Sequence, residues 1–291
     1  MKKKLGHFQM NLFYIPALLL FALFVVYPFI RGIFISTTNW NGYSQIYKNV
    51  GLKNYLKMFS DKNFYTALIN TLIYGIGSTF LQNVLGLALA LFLNSKFYGR
   101  SILRAVIYLP VMIAPLIMGY IMYFFFTYNR GALNDILQLL GKEPLDWMAD
   151  GPRAVALMTL VNALQFVGVS MVIYLAGLQN IPSMYYEAAA IDGVGVFAQF
   201  RYITLPLLYP AVQSAVVINL IGGLKLYDII SALTSGGPGY ASHSLSTLIH
   251  RTYFGSEKAG YASAIGLAAF VLILVLSTFV TQILSRKEVE A

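Results

Sequence analysis

Charged side chains fall in bunches along this chain, with long uncharged stretches between them. Six such intervals hold at least about 20 residues: 5–30, 63–95, 105–129, 154–186, 202–224 and 259–285. A charge at a bilayer centre costs several kcal/mol, and about 20 residues of helix cross a hydrocarbon core of about 30 Å. The pattern predicts six transmembrane helices, over about 11–33, 68–94, 105–127, 155–178, 207–228 and 262–284. A seventh interval, 229–250, is equally uncharged but contains Ser235-Gly236-Gly237-Pro238-Gly239 and Ser242-His243-Ser244. Glycine, proline and hydroxyls at that density make a turn, not a lipid-facing helix. The expected fold class is an all-α integral membrane protein.

The basic start, Lys2-Lys3-Lys4, followed by an apolar run, resembles a signal peptide. Its apolar stretch from Leu12 to Ile30 is too long for an ordinary h-region and no small-residue cleavage site follows, so an uncleaved first span is expected. With the N-terminus inside, the inner segments (2–4, 96–104, 201 and 286–287) are shorter in total than the outer ones and denser in Lys and Arg. The positive-inside rule therefore favours an N-in, C-in topology with a short cytoplasmic tail at 286–291. Outside the first span, the 31–66 segment places Leu52, Tyr55, Leu56 and Phe59 on one helical face, as in a helix lying on the outer leaflet. In the 128–153 loop, Trp147 is an interface anchor of the same sort.

Composition agrees with the pattern. Hydrophobic residues make up 58% and charged residues 11%, against about 25% charged in a soluble domain, and the mean hydropathy is +0.68. A net charge of +9 is spread in short clusters, with no basic stripe to suit a nucleic acid. Cysteine is absent, which removes disulfides, thiol nucleophiles and thiolate metal sites.

Enzyme chemistry lacks its parts. The three histidines, His7, His243 and His250, lie outside the spans and have no neighbouring carboxylates with metal-ligand spacing. No phosphate-binding loop of the Gly-x-x-x-x-Gly-Lys-Ser/Thr type occurs, so no ATP site of that kind belongs to this chain. Ion-coupled carriers place acids or histidines within the membrane, whereas here Asp228 is the one acid in a span. Lys225 stands three residues before it, and two readings remain: a helical i, i+3 ion pair, or contact with a substrate.

One inner loop differs from the rest. It runs Ile181-Pro182-Ser183-Met184-Tyr185-Tyr186-Glu187-Ala188-Ala189-Ala190-Ile191-Asp192-Gly193 and closes at Ile203-Thr204-Leu205-Pro206. Pro182 suits a first helical turn, Glu187 to Ile191 mostly favour helix, and Gly193 can take the positive φ that reverses a chain. Val196, Phe197, Phe200 and Ile203 make a second short amphipathic stretch. The expectation is helix, glycine turn, helix. On these grounds alone it is either a docking element or an ordinary interfacial loop.

The spacing Glu187-Ala188-Ala189, Gly193, Ile203, Leu205, Pro206 resembles the signature loop of binding-protein-dependent ABC importer permeases. Gly51-Leu52-Lys53-Asn54-Tyr55, Leu109-Pro110, the run Leu224 to Gly239 and Gly260-Tyr261-Ala262-Ser263-Ala264 are similar to segments of the carbohydrate branch, over roughly 50–285. The chain looks most like the first permease subunit of maltose, multiple-sugar and glycerol-3-phosphate importers. It lacks the large external domain of the maltose protein, having only about 35 residues in that place.

The resemblance implies the type I ABC importer transmembrane fold in a bacterial or archaeal cytoplasmic membrane. It further implies four kinds of partner: a second permease, a dimer of cytoplasmic ATPase subunits, an extracytoplasmic solute-binding protein and a sugar substrate. ATP and Mg would be used by the ATPase, with no cofactor or metal on this chain. Glu187, Ala188, Ala189, Asp192 and Gly193 would form the coupling helix and its turn, closed by Ile203, Leu205 and Pro206. Asn162, Gln165 and Phe166 in the fourth span, with Asn219, Gly222, Gly223, Lys225 and Asp228 in the fifth, are the substrate-path residues to test. Hydrogen bonds that merely join helices explain any one of the amides equally well. Lys225 hints at an acidic substrate, but lysine recurs there in the resembling family. The alternative to an importer is a facilitator or channel that uses no ATPase.

Overall fold

The computed structural model describes residues 14–285; the basic N-terminus, the beginning of the first span and the 286–291 tail lie outside the described residues. The described chain is nearly all helix. Five helical stretches are long and apolar enough to cross a membrane. They are α1 (Tyr14–Ser36), α3 (Lys62–Asn94), α7 (Gly151–Gln179), the stretch Tyr209–Leu233 and α13 (Ala259–Ser285). A short helix, α2 (Lys53–Met58), precedes α3.

The third expected span is where the structure departs from a simple rod. It consists of α4 (Arg100–Met112) and α5 (Pro115–Phe126), bent by 98° at their junction. Counting the pair as one span brings the total to six. Pro115 causes the break: the residue before a proline is pushed out of the helical region, and Ala114 has ψ 133° and Ile113 ψ 130°. A further short helix, α6 (Ala132–Leu139), follows α5. Asp150 caps α7, its carboxylate accepting from the Arg153 N–H at 2.9 Å.

The described residues form two compact units. In the first, 14–61 with 249–269, segments distant in sequence meet. Asn54 Nδ2 donates to the carbonyls of Ser36 (2.7 Å) and Thr38 (2.8 Å), and the Gly260 N–H donates to Trp40 O (2.9 Å). Tyr261 donates its hydroxyl to Asp61 at 2.7 Å while Lys57 lies over its ring. Leu52, Leu56 and Phe59 are exposed along α2, whereas Tyr55 turns inward to Ser36 Oγ at 2.6 Å.

The second unit, 62–248 with 270–285, packs α3, α4, α7 and α10 (Tyr209–Leu224). One apolar cluster joins Tyr74, Met158, Ile229 and Ile230; another joins Leu93, Met171, Tyr174 and Leu208. Small residues let the helices approach: a Cβ on Gly223 would lie 2.9 Å from both Gly75 Cα and Tyr74 O. The uncharged 229–250 interval forms α11 (Asp228–Leu233), a turn and α12 (Leu245–His250). That turn, with a cis Gly237-Pro238 bond, is held from α3. Asn70 Nδ2 donates to Ala241 O (2.7 Å) and His243 O (3.0 Å), Tyr74 OH donates to Ser242 O (2.9 Å), and Thr71 Oγ1 accepts from Leu245 N (2.8 Å).

Candidate substrate path and coupling loop

A cavity of about 410 Å³ opens within the second unit. It is lined by Gln82 of α3, Val111 and Pro115 at the break between α4 and α5, and Asn162, Phe166 and Val169 of α7. Ile218, Asn219, Gly222 and Gly223 of α10, then Lys225 to Asp228, complete it. The helices place these groups through period: Asn162, Phe166 and Val169 fall on one face of α7, and Asn219, Gly222 and Gly223 on one face of α10. Seven of the eight expected path residues therefore meet in one space: Asn162, Phe166, Asn219, Gly222, Gly223, Lys225 and Asp228.

They differ in what they are free to do. Asn162 is buried, and its backbone carbonyl accepts from Gln82 Nε2 at 3.0 Å. Asn219 joins helices as well as lining the cavity, since its Nδ2 donates to Ser170 Oγ at 2.6 Å. A Cβ on Gly222 would meet nothing within 4 Å, so its backbone is open to a ligand, while Gly223 is occupied by helix packing.

Gln165 stands apart from the cavity. Its Nε2 donates at 3.1 Å to the carbonyl of Ile113, one of the groups released by the break after α4. In a membrane no bulk water serves such a carbonyl, so a side chain must. Gln165 braces the broken span.

Of the two readings of Lys225 and Asp228, the helical pair does not form, because the helix ends between them. Lys225 terminates α10 and Asp228 starts α11. Each charge complements the dipole of its own helix end, the cation at a C-terminus and the carboxylate at an N-terminus. This removes the need for pairing and leaves both residues on the cavity wall.

The inner loop forms two helices about a glycine turn. The first, α8 (Met184–Ile191), ends in a Schellman motif: Val194 N–H donates to Ala189 O at 2.9 Å and Gly193 N–H to Ala190 O at 3.1 Å. Gly193 has φ +72°, the left-handed conformation its position requires. The second, α9 (Val196–Gln199), leads through a π-helical turn, Phe200–Thr204, to Leu205, Pro206 and α10. Tyr186 and Thr204 hydroxyls lie 3.0 Å apart, and Gln199 Nε2 donates to Val194 O at 2.8 Å. The two arms of the loop are thus tied. Glu187, Ala188, Asp192 and Gly193 are exposed, Ile203, Leu205 and Pro206 half-buried, and Ala189 is covered by this chain itself.

Residues 82–289 match the family of binding-protein-dependent transport system inner membrane components. The chain belongs to that family. The permease is 36% identical over 270 residues to the probable ABC transporter permease protein YurN of Bacillus subtilis, covering 91% of this chain and 92% of that one. It is 34% identical over 271 residues to the trehalose/maltose transport system permease protein MalF of Thermococcus litoralis, covering 93% and 90%. Its fold is that of a chain in the crystal structure of a bacterial ABC transporter involved in import of the acidic polysaccharide alginate. That comparison has a TM-score of 0.83 and 22% identity over 98% of each chain. The permease is a multi-pass membrane protein.

Sequence reasoning missed Gln82, Val111, Pro115, Val169, Ile218, Leu226 and Tyr227 as cavity residues. Gln82 carried a readable signal, being an amide deep inside an uncharged span. The apolar ones carried none, because cavity-lining and lipid-facing hydrophobes look alike in sequence.

Proposed function

We propose that this permease forms, with a second permease, the membrane path of an importer that carries a sugar or oligosaccharide into the cytoplasm. The cavity is the observation that carries this reading. It gathers amides from Gln82, Asn162 and Asn219 beside the Phe166 ring and the open backbone at Gly222, a set suited to hydroxyl groups and an apolar sugar face. The relatives point the same way, one being named for trehalose and maltose and another, 33% identical, for multiple sugars. A solved structure of the same fold includes an alginate pentasaccharide-bound periplasmic protein, which supports delivery by an extracytoplasmic receptor.

In this reading the α8–Gly193–α9 loop is the coupling element. Glu187 makes no side-chain hydrogen bond or ion pair among the described residues, so it is available to a basic group on a cytoplasmic ATPase subunit. Ala188 and Ile191 offer small and apolar exposed surface beside it, while Ala189 supports the helix from within. The tied arms pass a push on α8 to the start of α10, whose other end lines the cavity. ATP and Mg are used in the partner ATPase, and the permease binds neither.

Transport in reconstituted vesicles tests the whole reading. The permease is combined with its second permease, ATPase and binding protein, and wild type is compared with Glu187→Ala and Gly193→Pro. ATP-dependent sugar uptake should collapse while both permeases still co-purify. Uptake at the wild-type rate without any ATPase would overturn the importer mechanism.

A further inference from the structure

Gln82 carries more information than its place on the cavity wall. It is 1% exposed, and its Nε2 donates at 3.0 Å to the backbone carbonyl of Asn162, which fixes the orientation of the amide. Its Oε1 is buried and has no hydrogen-bond partner among the described residues. A buried carbonyl oxygen without a donor is costly, and such groups in native proteins usually have a function. Two other buried side-chain atoms share this condition, Gln165 Oε1 and Arg104 Nε, but neither residue lines the cavity. Gln82 does, beside Asn162.

We propose that Gln82 Oε1 accepts a hydrogen bond from a hydroxyl of the transported sugar and thereby selects among sugars. The proposal rests on the cavity being the substrate path. The chemistry is specific. Oε1 can only accept, and a sugar hydroxyl can donate to it, whereas a carboxylate group brought to the same point would be repelled. The surrounding wall holds one cation, Lys225, and one anion, Asp228, whose charges sum to zero and offer no net attraction to an acidic sugar. The substrate class that fits is a neutral, polyhydroxylated sugar with at least one hydroxyl facing α3. Because Gln82 is anchored through Nε2 to α7, its oxygen is held in place before substrate arrives, which keeps the ordering cost of recognition low.

The test uses the reconstituted importer with its own binding protein and trehalose, maltose and maltotriose as probes. For whichever is transported, uptake of the parent is compared with its set of monodeoxy derivatives in wild type, Gln82→Met and Gln82→Glu. Ratios between variant and wild type cancel the binding protein's own preference. In wild type, one derivative should be carried about 3- to 10-fold less efficiently than the parent, the size of one net hydrogen bond. Gln82→Met should erase that one difference and leave the others unchanged, whereas Gln82→Glu, which when buried and protonated can donate to the Asn162 carbonyl and keep one accepting oxygen, should retain it. A uniform fall for parent and all derivatives in Gln82→Met marks a packing role and overturns the proposal. Should Gln82→Met fail to assemble, Gln82→Ala takes its place: loss of that one difference is expected, and an unchanged deoxy pattern overturns the proposal. Gly222→Leu, which projects into the same cavity, separates the two levels of inference. If that variant transports normally the path reading fails and the Gln82 assignment with it; if it blocks uptake while Gln82→Met keeps the wild-type pattern, only the Gln82 assignment fails. Transport of an acidic oligosaccharide in place of all three probes overturns the neutral-sugar class.

Discussion

Gly222 and Gly223 are adjacent on α10, yet alanine should affect them in opposite ways. At Gly223 the new methyl carbon would lie 2.7 Å from Ser78 Oγ and 2.9 Å from both Gly75 Cα and Tyr74 O. Two of those three atoms are backbone of α3, so no rotamer change relieves the crowding and the helices must separate. Overpacking of this kind costs about 1–3 kcal/mol. At Gly222 the methyl meets nothing within 4 Å. Both changes gain about 0.8–1.0 kcal/mol of helix propensity. That gain cancels in the difference between the two variants, which isolates the steric term at about 1–3 kcal/mol. Thermal unfolding of the purified permease in detergent, followed by tryptophan and tyrosine fluorescence, should therefore place Gly223→Ala several degrees below Gly222→Ala. Sugar uptake separates them the other way, because the Gly222 methyl enters the cavity. Equal melting temperatures would refute the claim that Gly223 serves close helix contact and Gly222 does not.

Three further outcomes follow from single contacts. Gln165→Leu strands the Ile113 carbonyl and should lower stability by about 1–3 kcal/mol in the same melting assay, with sugar preference unchanged. Gly193→Ala keeps steric room but forces a side chain into φ +72°, costing about 1–2 kcal/mol. Gly193→Asn should cost less, and co-purification of the ATPase with each variant reports the ordering. Asn54→Ala removes donors to two carbonyls and should raise the rate of limited proteolysis within 37–61, while protection of α7 stays as in wild type.

The legible part of this fold was the part that depends on where charges cannot go. Uncharged intervals located the membrane-crossing segments because one charged side chain suffices to veto a position. The α4–α5 break was also written in the chain, at Pro115, but an interval count treats 105–127 as uniform. The two readings left open for Lys225 and Asp228 turn on a related point: the i, i+3 pair assumes a continuous helix, and α10 ends at Leu224. The helix–turn–helix form of the inner loop was readable through Gly193, whose positive φ only glycine adopts at little cost. Gln165 and Asn162 illustrate the limit. Both are buried amides on α7, one serving a broken backbone and the other a cavity, and only the position of Ile113 tells them apart.

The 235–244 turn carries a practical warning for anyone mapping which side of the membrane each segment faces. Its glycines and serines invite insertion of an epitope tag or a protease site, as loop tips usually do. Here the backbone carbonyls of Ala241, Ser242 and His243 are already taken by Asn70 and Tyr74. A tag placed there would pull apart the packing of α3 and report a misfolded protein rather than a topology. The stretch around Tyr43 and Ile46, where Ile46 is 85% exposed, tolerates such cargo without that penalty and is the better place for a label.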